Sequence, residues 1–223
     1  MHAEVPKSST WKEFSSEYLM IVISILTALA LEHAVQTLHH RHLAHEAAER
    51  MDAELRANVT EVGKVLAHNE QRLDELETMR TALRAGIRKG MTDAELMQRL
   101  EHEWRSALDL SLQSPTLHRE AWEAAVANQA VTWMPRAQLE RYATVYGAMR
   151  DQIALFNGGM ISFMDGPRLR DAMSNIEMGE AHPQDIYRTA SQMAATYSAF
   201  DGNLKSLKRQ LEQATGGQGD SGH

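Results

Sequence analysis

The sequence predicts an all-α protein: one N-terminal transmembrane helix continues into a long amphipathic, coiled-coil-like helix, and a bundle of about four to five further helices follows. Three observations support this fold class. Only 13 Gly and 5 Pro interrupt 223 residues that are rich in strong helix formers. A charge-free apolar run lies near the N-terminus, and apolar residues beyond it recur at the three- and four-residue spacing of helices.

Charge and composition narrow the classes of function. The formal net charge is -7 and the pI is near 5.9, and Lys and Arg form no cluster, so no nucleic-acid partner is expected. The absence of cysteine excludes disulfides, thiolate zinc sites, iron–sulfur clusters and cysteine catalysis. The length suits one helical domain and an anchor.

The predicted transmembrane helix covers residues 18–38. Its first part, Tyr18 to Leu31, contains no charged residue, and 21 residues of helix match a hydrocarbon core of about 30 Å. A cleaved signal peptide is disfavoured, because acidic Glu13 and Glu17 precede the run and no small-x-small cleavage site follows it. An interfacial or core helix is the remaining alternative. The lipid bilayer is therefore the first expected partner.

Two features of this segment suggest interactions inside the membrane. Glu32 lies about 21 Å of helix from Glu17, so at least one of the two carboxylates falls at or inside the bilayer boundary. An intramembrane acid at Glu32 can mark a partner, proton or ion site, or it can be tolerated by local thinning of the bilayer. Ser24 and Ala28 form a small-xxx-small pair that would let two helices pack closely.

The run EYLMIVISILTAL from Glu17 to Leu29 resembles the membrane segment of an uncharacterised family of bacterial single-pass proteins. That family typically reads GEIILVVIGILIAL before a long charged helix. The stretch 121–149 also resembles the family's helix, short apolar turn and second helix. This chain departs from the family at Ser24, usually Gly, and at Glu32-His33, where the family has an Asn-Trp pair.

The resemblance implies a bacterial inner-membrane location but no known activity. Members of the family usually have a strongly basic N-terminus, which implies a cytoplasmic N-terminus and a periplasmic helical domain. The sequence alone leaves the orientation open, because basic residues are nearly balanced on the two sides of the predicted span.

A long helix is expected to continue from the span to about Arg84. Thr10 with Glu13 forms a capping box at its start, and no Pro occurs between this box and Gly86. Apolar residues step at mixed three and four spacing from Leu55 to Ile87, which fits either a coiled-coil stalk or one strip of an intramolecular bundle. Asn69 falls on this strip and could fix its register.

Further helices are expected to start at four points. They are the capping box Thr92 with Glu95, the pair Ser114-Pro115, Pro135 and Pro183. Leu108, Leu110 and Leu112 alternate with polar residues and indicate an extended connector. The larger aromatic residues of these helices are expected in the core with their polar ends near the surface: Trp104, Trp122, Trp133, Tyr142, Tyr146 and Tyr197. The expected division is a flank at 1–17, the span at 18–38, a juxtamembrane long helix at 39–87, a helical bundle at 92–213 and a disordered tail at 214–223.

A histidine-rich collar, formed by residues 39–46, follows the span directly. Its weak metal candidates are His42, His45, Glu46 and Glu49, because imidazole and carboxylate groups at i and i+4 can bind a divalent cation. A solvated collar and a pH- or lipid-responsive surface are the alternatives. No zincin, Glu-x-x-His or phosphate-loop motif is present, so neither a cofactor nor an enzyme activity is expected.

Two classes of function remain after these exclusions. The first is a membrane-anchored structural or interaction protein that forms a homo-oligomer or binds a membrane or periplasmic protein. The second is a small-ligand or pH-responsive membrane sensor or accessory subunit. The long apolar strip favours the first class, and the aromatic bundle and the histidine collar favour the second.

Overall fold

The structure is a computed structural model, and it describes residues 11–104, 107, 112–157 and 167–216. The all-α prediction is confirmed: the described residues form helices and contain no strand. The helices are α1 (Trp11–Arg88), α2 (Asp93–Glu103), α3 (Glu120–Ala127), α4 (Arg136–Leu155), α5 (Pro167–Glu177) and α6 (Pro183–Gly216), and a 3-10 turn (Ala130–Trp133) lies between α3 and α4.

Helix α1 is a single helix of 78 residues, about 117 Å long at 1.5 Å per residue. It contains no proline, and the predicted continuity from the apolar segment into the following helix is confirmed. Gly90 ends it with a positive φ of 71°, and the amide of Met91 donates to the Gly86 carbonyl at 3.1 Å. This left-handed glycine satisfies a terminal carbonyl and turns the chain toward α2.

Helices α1 and α6 run antiparallel and form the frame of the bundle. Lys205 on α6 pairs with Glu70 on α1 at 2.6 Å, and Gly63 of α1 faces Lys208. Eight apolar residues recur at three- and four-residue spacing along α6, and all of them are buried: Ile186, Ala190, Met193, Tyr197, Phe200, Leu204, Leu207 and Leu211. The α1 strip packs against them, so of the two alternatives the structure shows the strip of an intramolecular bundle.

Two hydrophobic clusters lie along this helix pair. The first joins α1 residues 44–66 to α3, α4 and the C-terminal half of α6, and the second joins α1 residues 76–83 to α2 and the N-terminal half of α6. Residues from the predicted long helix and from the predicted bundle domain thus share both cores. Buried Asn69 and Asp201 lie between the two clusters on the facing helices.

The connector before α3 is extended, and the predicted helix start at Ser114-Pro115 is wrong. The side chain of Asn58 on α1 makes two hydrogen bonds with the backbone of His118. Its Oδ1 accepts from the His118 backbone N–H at 2.9 Å, and its Nδ2 donates to the His118 backbone carbonyl at 2.7 Å. Asn69 holds the Gln113 backbone in the same way, at 3.0 and 3.1 Å.

These two asparagines explain why the connector does not form a helix. They are eleven residues apart, about 16 Å of helix, and five extended residues from Gln113 to His118 cover about the same distance. The backbone groups of Gln113 and His118 are therefore hydrogen-bonded to side chains of α1 and do not need a local helix to satisfy them. α3 begins only at Glu120, where the Glu54 carboxylate accepts the Ala121 amide at 2.8 Å.

The other predicted helix starts agree with the structure where it describes them. Thr92 and Glu95 form the expected capping box, Pro135 precedes α4, and Pro183 is the first residue of α6. The capping box at Thr10 and the leucines 108 and 110 lie outside the described residues, as do residues 217–223 of the predicted tail. Residues 214–216 belong to α6 rather than to the tail, because Arg141 donates to the Ala214 carbonyl at 2.6 Å.

Candidate functional site

The N-terminal part of α1 presents apolar side chains to its surroundings on all sides. It is the one helix in the described part of the chain that is long and apolar enough to cross a membrane, and none of its most apolar window is buried. Between Tyr18 and Leu38 every side chain is exposed except Val22 and Thr37, which are half-buried. In water, such an uncovered apolar surface would be strongly unfavourable.

Burial along α1 begins directly after this segment. Leu43 packs against the first cluster, and Ala44, Ala47 and Met51 are buried in it. The apolar segment and the packed bundle are thus parts of one uninterrupted helix. The position of the bundle relative to residues 18–38 is therefore set by α1 itself.

The hydroxyl groups of the apolar segment are satisfied within the helix. Ser24 donates to the Met20 carbonyl, Thr27 to the Ile23 carbonyl and Thr37 to the His33 carbonyl, each at 2.8 Å. A hydrocarbon environment would leave none of these donors without a partner. Ser24 and Ala28 are both exposed, so the predicted small-xxx-small face is open to another helix.

Glu32 has a partner on its own helix. Its carboxylate oxygen Oε1 accepts a hydrogen bond from the Gln36 amide at 3.2 Å, and both side chains are exposed. Glu32 lies six residues before Leu38, about 9 Å along the helix. Glu32 is therefore hydrogen-bonded within its own helix, toward the end of the apolar segment that is nearer the bundle.

The histidine collar does not assemble the four candidate metal ligands. His45 pairs with Glu49 at 3.4 Å, whereas Glu46 pairs with Arg50 at 2.6 Å, and His42 is exposed. Among the described residues, no group of three or more His, Asp or Glu side chains could hold a metal ion. The geometry of the collar is that of separate i,i+4 pairs on a solvated helix face.

One aromatic residue lies where the sequence did not place it. Trp133 is 50% exposed, so its prediction as a core aromatic is wrong, and its ring stacks on that of His40 at 3.7 Å with an angle of 8°. The core position is confirmed for Tyr142, Tyr146 and Tyr197, but the prediction that their polar ends lie near the surface is wrong, because all three residues are fully buried. Sequence periodicity gave no sign of the His40–Trp133 contact, because the 3-10 turn that carries Trp133 has no repeating pattern.

Farther along α1, two tyrosines of α4 donate hydrogen bonds to acids, the buried Asp52 and the half-buried Glu54. Tyr142 donates to Asp52 at 2.8 Å, and Arg141 lies 3.5 Å from the same carboxylate. Burial and the Asp52 carboxylate raise the pKa of Tyr142 to about 12. Tyr146 donates to Glu54 at 2.7 Å, and burial together with Glu54 raises its pKa. These hydrogen bonds fix α4 against α1, and both phenols stay protonated near neutral pH.

Asp201 is a buried acid whose desolvation is poorly compensated by hydrogen bonds. Its side chain is 3% exposed, and neither carboxylate oxygen has a hydrogen-bond partner at normal geometry among the described residues. Burial raises the pKa of Asp201, although nearby Asn69 and Lys205 oppose the increase. The sequence did not single out this residue, since it follows Phe200 inside a regular apolar stripe.

An open groove of about 370 Å³ lies between α4 and α6. Its charged groups already have partners: Glu140 pairs with Arg136 at 2.7 Å, and Arg141 binds Asp52 and the Ala214 carbonyl. The groove thus presents paired charges rather than a set of free polar groups that would orient a small molecule.

Comparison of the chain with protein-family models, curated proteins and solved structures finds no match. The class that the structure defines is an all-helical protein with one helix that could span a membrane. Its function is therefore argued from the apolar segment, the residues around the beginning of the bundle and the packing beyond them.

Proposed function

We propose that this chain is a membrane-anchored helical interaction protein of the bacterial inner membrane. Residues 18–38 cross the bilayer, and the bundle binds a second copy or a protein partner at the membrane surface. One observation carries the proposal: an exposed apolar helix long enough to span the bilayer continues without a break into a well-packed bundle. A lipid environment removes the unfavourable exposure of that helix to water.

The packing of the bundle supports an interaction role over a catalytic one. The buried Asp52 and the half-buried Glu54 accept hydrogen bonds from tyrosines that join α1 to α4. Glu54 also binds the Ala121 amide at the start of α3. These hydrogen bonds hold helices together.

Membrane anchoring predicts a specific sensitivity to charge. Changing both Ile23 and Leu26 to Arg places two cations in the hydrocarbon core, each at a cost of about 2.5–3.5 kcal/mol. We expect the double variant to be largely extracted by alkaline carbonate, whereas the wild-type chain stays with the membrane pellet.

The matched control changes Leu155 and Met178 to Arg. These residues are exposed to a similar degree, 57% and 59% against 54% for Ile23 and 60% for Leu26, but they lie on the bundle. The control should stay in the pellet. Equal retention or equal loss of the two double variants would contradict the proposed span.

Self-association through Ser24 and Ala28 is the second part of the proposal. The Ser24 hydroxyl is already bonded to the Met20 carbonyl, so close helix contact on this face buries no unpaired donor. Ala28→Leu should lower the crosslinked oligomer and the light-scattering mass in mild detergent. Ala30→Leu, about 200° around the helix from Ala28, provides a chemically matched control that should leave the oligomer intact. A monomeric wild-type chain, or equal effects of both variants, would argue against this interface.

A pH-responsive accessory role is the second candidate function. The observation that favours it is the buried Asp201 carboxyl between the two hydrophobic clusters. Its protonation state couples the packing of α1 and α6 to pH, because the charged form is disfavoured at that position. The Asp201→Asn variant, which removes this carboxyl, tests the candidate: the dependence of stability on the Asp201 proton should disappear.

A further inference from the structure

The continuous helix α1 sets the position of Trp133 along the axis of the apolar segment. His40 lies two residues beyond Leu38, about 3 Å along the helix axis, and Trp133 stacks directly on its ring. The 3-10 turn is therefore held beside the end of the apolar segment, although α2 and α3 separate it from α1 in the chain. If residues 18–38 cross the bilayer, this is the level of the lipid headgroups.

The turn presents an apolar surface at this level. Trp133 is 50% exposed, and Val126 on α3 is 46% exposed. Beyond residue 38 the described residues include only two other exposed large apolar side chains, Leu155 and Met178, so half of this set belongs to α3 and its turn. The indole has an apolar face and a polar N–H, the combination that favours the boundary between headgroups and acyl chains.

The backbone of the turn is fixed rather than loosely attached. Ala130 is buried in the first cluster, and its amide donates to the Asn128 side chain at 3.0 Å. Gln129 adopts a left-handed conformation with φ of 61°, which ends α3 and redirects the chain into the turn. The bundle therefore holds Trp133 in a defined position on its outer surface.

The charges around this surface complement phospholipid headgroups. No acidic residue occurs at positions 33–45 of α1 or at positions 124–139, whereas Arg41 and Arg136 are both exposed. Arg136 also pairs with Glu140 at 2.7 Å, one turn farther into α4. Cationic side chains at the membrane surface attract anionic lipids.

We propose that Trp133 and the 3-10 turn Ala130–Trp133 form a second bilayer contact, with the indole inserted at the headgroup–acyl boundary of phospholipids. This inference rests on the proposed function, because it requires residues 18–38 to cross the membrane. Attachment at α1 and at Trp133 fixes the tilt of the bundle against the membrane, so that the same face of the bundle always meets the lipid.

Tryptophan fluorescence tests this contact in the full-length chain. Three variants each retain one tryptophan, Trp11, Trp122 or Trp133, with the other three changed to Phe. Each is reconstituted in phosphatidylcholine–phosphatidylglycerol vesicles that contain a lipid with a nitroxide near the headgroup. Trp122 is the internal control, because it stacks on Tyr146, whose hydroxyl is 3.5 Å from the Met51 carbonyl, about 16 Å of helix beyond His40.

We expect the nitroxide to quench Trp133 and Trp11 about three-fold more strongly than Trp122, because both would lie in the interfacial region. Circular dichroism shows whether each variant folds. For a variant that does not, the difference between wild type and Trp133→Phe gives the contribution of Trp133.

Three outcomes separate the inference from the proposed function. Strong quenching of Trp11 and Trp133 supports both. Quenching of Trp11 with Trp133 quenched no more than Trp122 overturns the second bilayer contact and leaves the membrane span standing. Absence of quenching for both Trp11 and Trp133 overturns the membrane span and, with it, the contact.

Discussion

At the scale of single residues, Asp201 is the clearest case of a group whose charged form is destabilised by burial. It is 3% exposed, and burial raises its pKa above the ordinary value of 3.8. The folded state therefore binds a proton more tightly than the unfolded state does. Consequently, the free energy of unfolding falls as the pH rises from about 4 through the raised pKa of the folded protein.

Asp201→Asn should remove this pH dependence. We expect the variant to be more stable than the wild type at pH 7 by about 1–3 kcal/mol, because it no longer buries an uncompensated charge. The advantage should largely vanish at about pH 3, below the ordinary pKa of 3.8, where the wild-type carboxyl is protonated in both states. Thermal denaturation in detergent, followed by circular dichroism, measures both values. Asp151→Asn, on the exposed surface beside Arg150, should change neither, and a pH-independent effect of Asp201→Asn would contradict the assignment.

Asn58 and Asn69 show what the sequence could and could not reveal about single residues. Asn69 stood out because it interrupts an apolar strip, and the structure shows that it is buried and bonded to the Gln113 backbone. Asn58 was missed, although it lies three helical turns earlier on nearly the same face. A polar residue repeated at that spacing was the available signal. The partner of Asn58 is the backbone of His118, and a backbone group leaves no residue pattern in the sequence.

Asn58→Ala should loosen the connector locally. The variant leaves the His118 amide and carbonyl without their partners, at a cost of about 1–3 kcal/mol. We expect trypsin to cleave after neighbouring Arg119 roughly 5- to 150-fold faster than in the wild type, the ratio that this cost gives. Thr60→Ala, which removes only an exposed hydroxyl bond to the Arg56 carbonyl, is the control on the same helix. Unchanged cleavage in Asn58→Ala would mean that the two hydrogen bonds do not hold the connector.

At the scale of elements, apolar periodicity predicted helices well and turns poorly. The three- and four-residue spacing of apolar residues in α6 marks eight of its buried positions, and the continuity of α1 followed from the absence of proline. The helix start at Pro115 was wrong because partners on α1, outside the local sequence, compete for the same backbone groups. Trp133 was misplaced for a related reason: its environment is a stack on His40, a contact between distant segments.

At the scale of the whole molecule, the sequence predicted an apolar segment that continues into a long helix, but it left open whether that helix packs within the bundle. The α1 strip fitted a coiled-coil stalk and an intramolecular bundle equally well, because both bury the same three- and four-residue spacing. The structure packs the strip against α6, so burial begins within six residues of Leu38. A bundle that starts so close to the proposed span is well placed to touch the membrane surface.

The most direct test of the membrane span uses the absence of native cysteine in the chain. Single variants Ser16→Cys, Ile25→Cys and His45→Cys place one thiol before, within and after the central part of the apolar segment. Each is exposed to a membrane-impermeant maleimide in cells whose outer membrane alone is permeabilised, and then after the inner membrane is opened.

We predict that His45→Cys is labelled from the periplasm, that Ser16→Cys is labelled only after the inner membrane is opened, and that Ile25→Cys stays protected in both cases. Labelling of Ser16→Cys and His45→Cys from the same side of an intact inner membrane, together with ready labelling of Ile25→Cys, would contradict a transmembrane helix at residues 18–38. The reverse sidedness of Ser16→Cys and His45→Cys would retain the span and invert the proposed orientation.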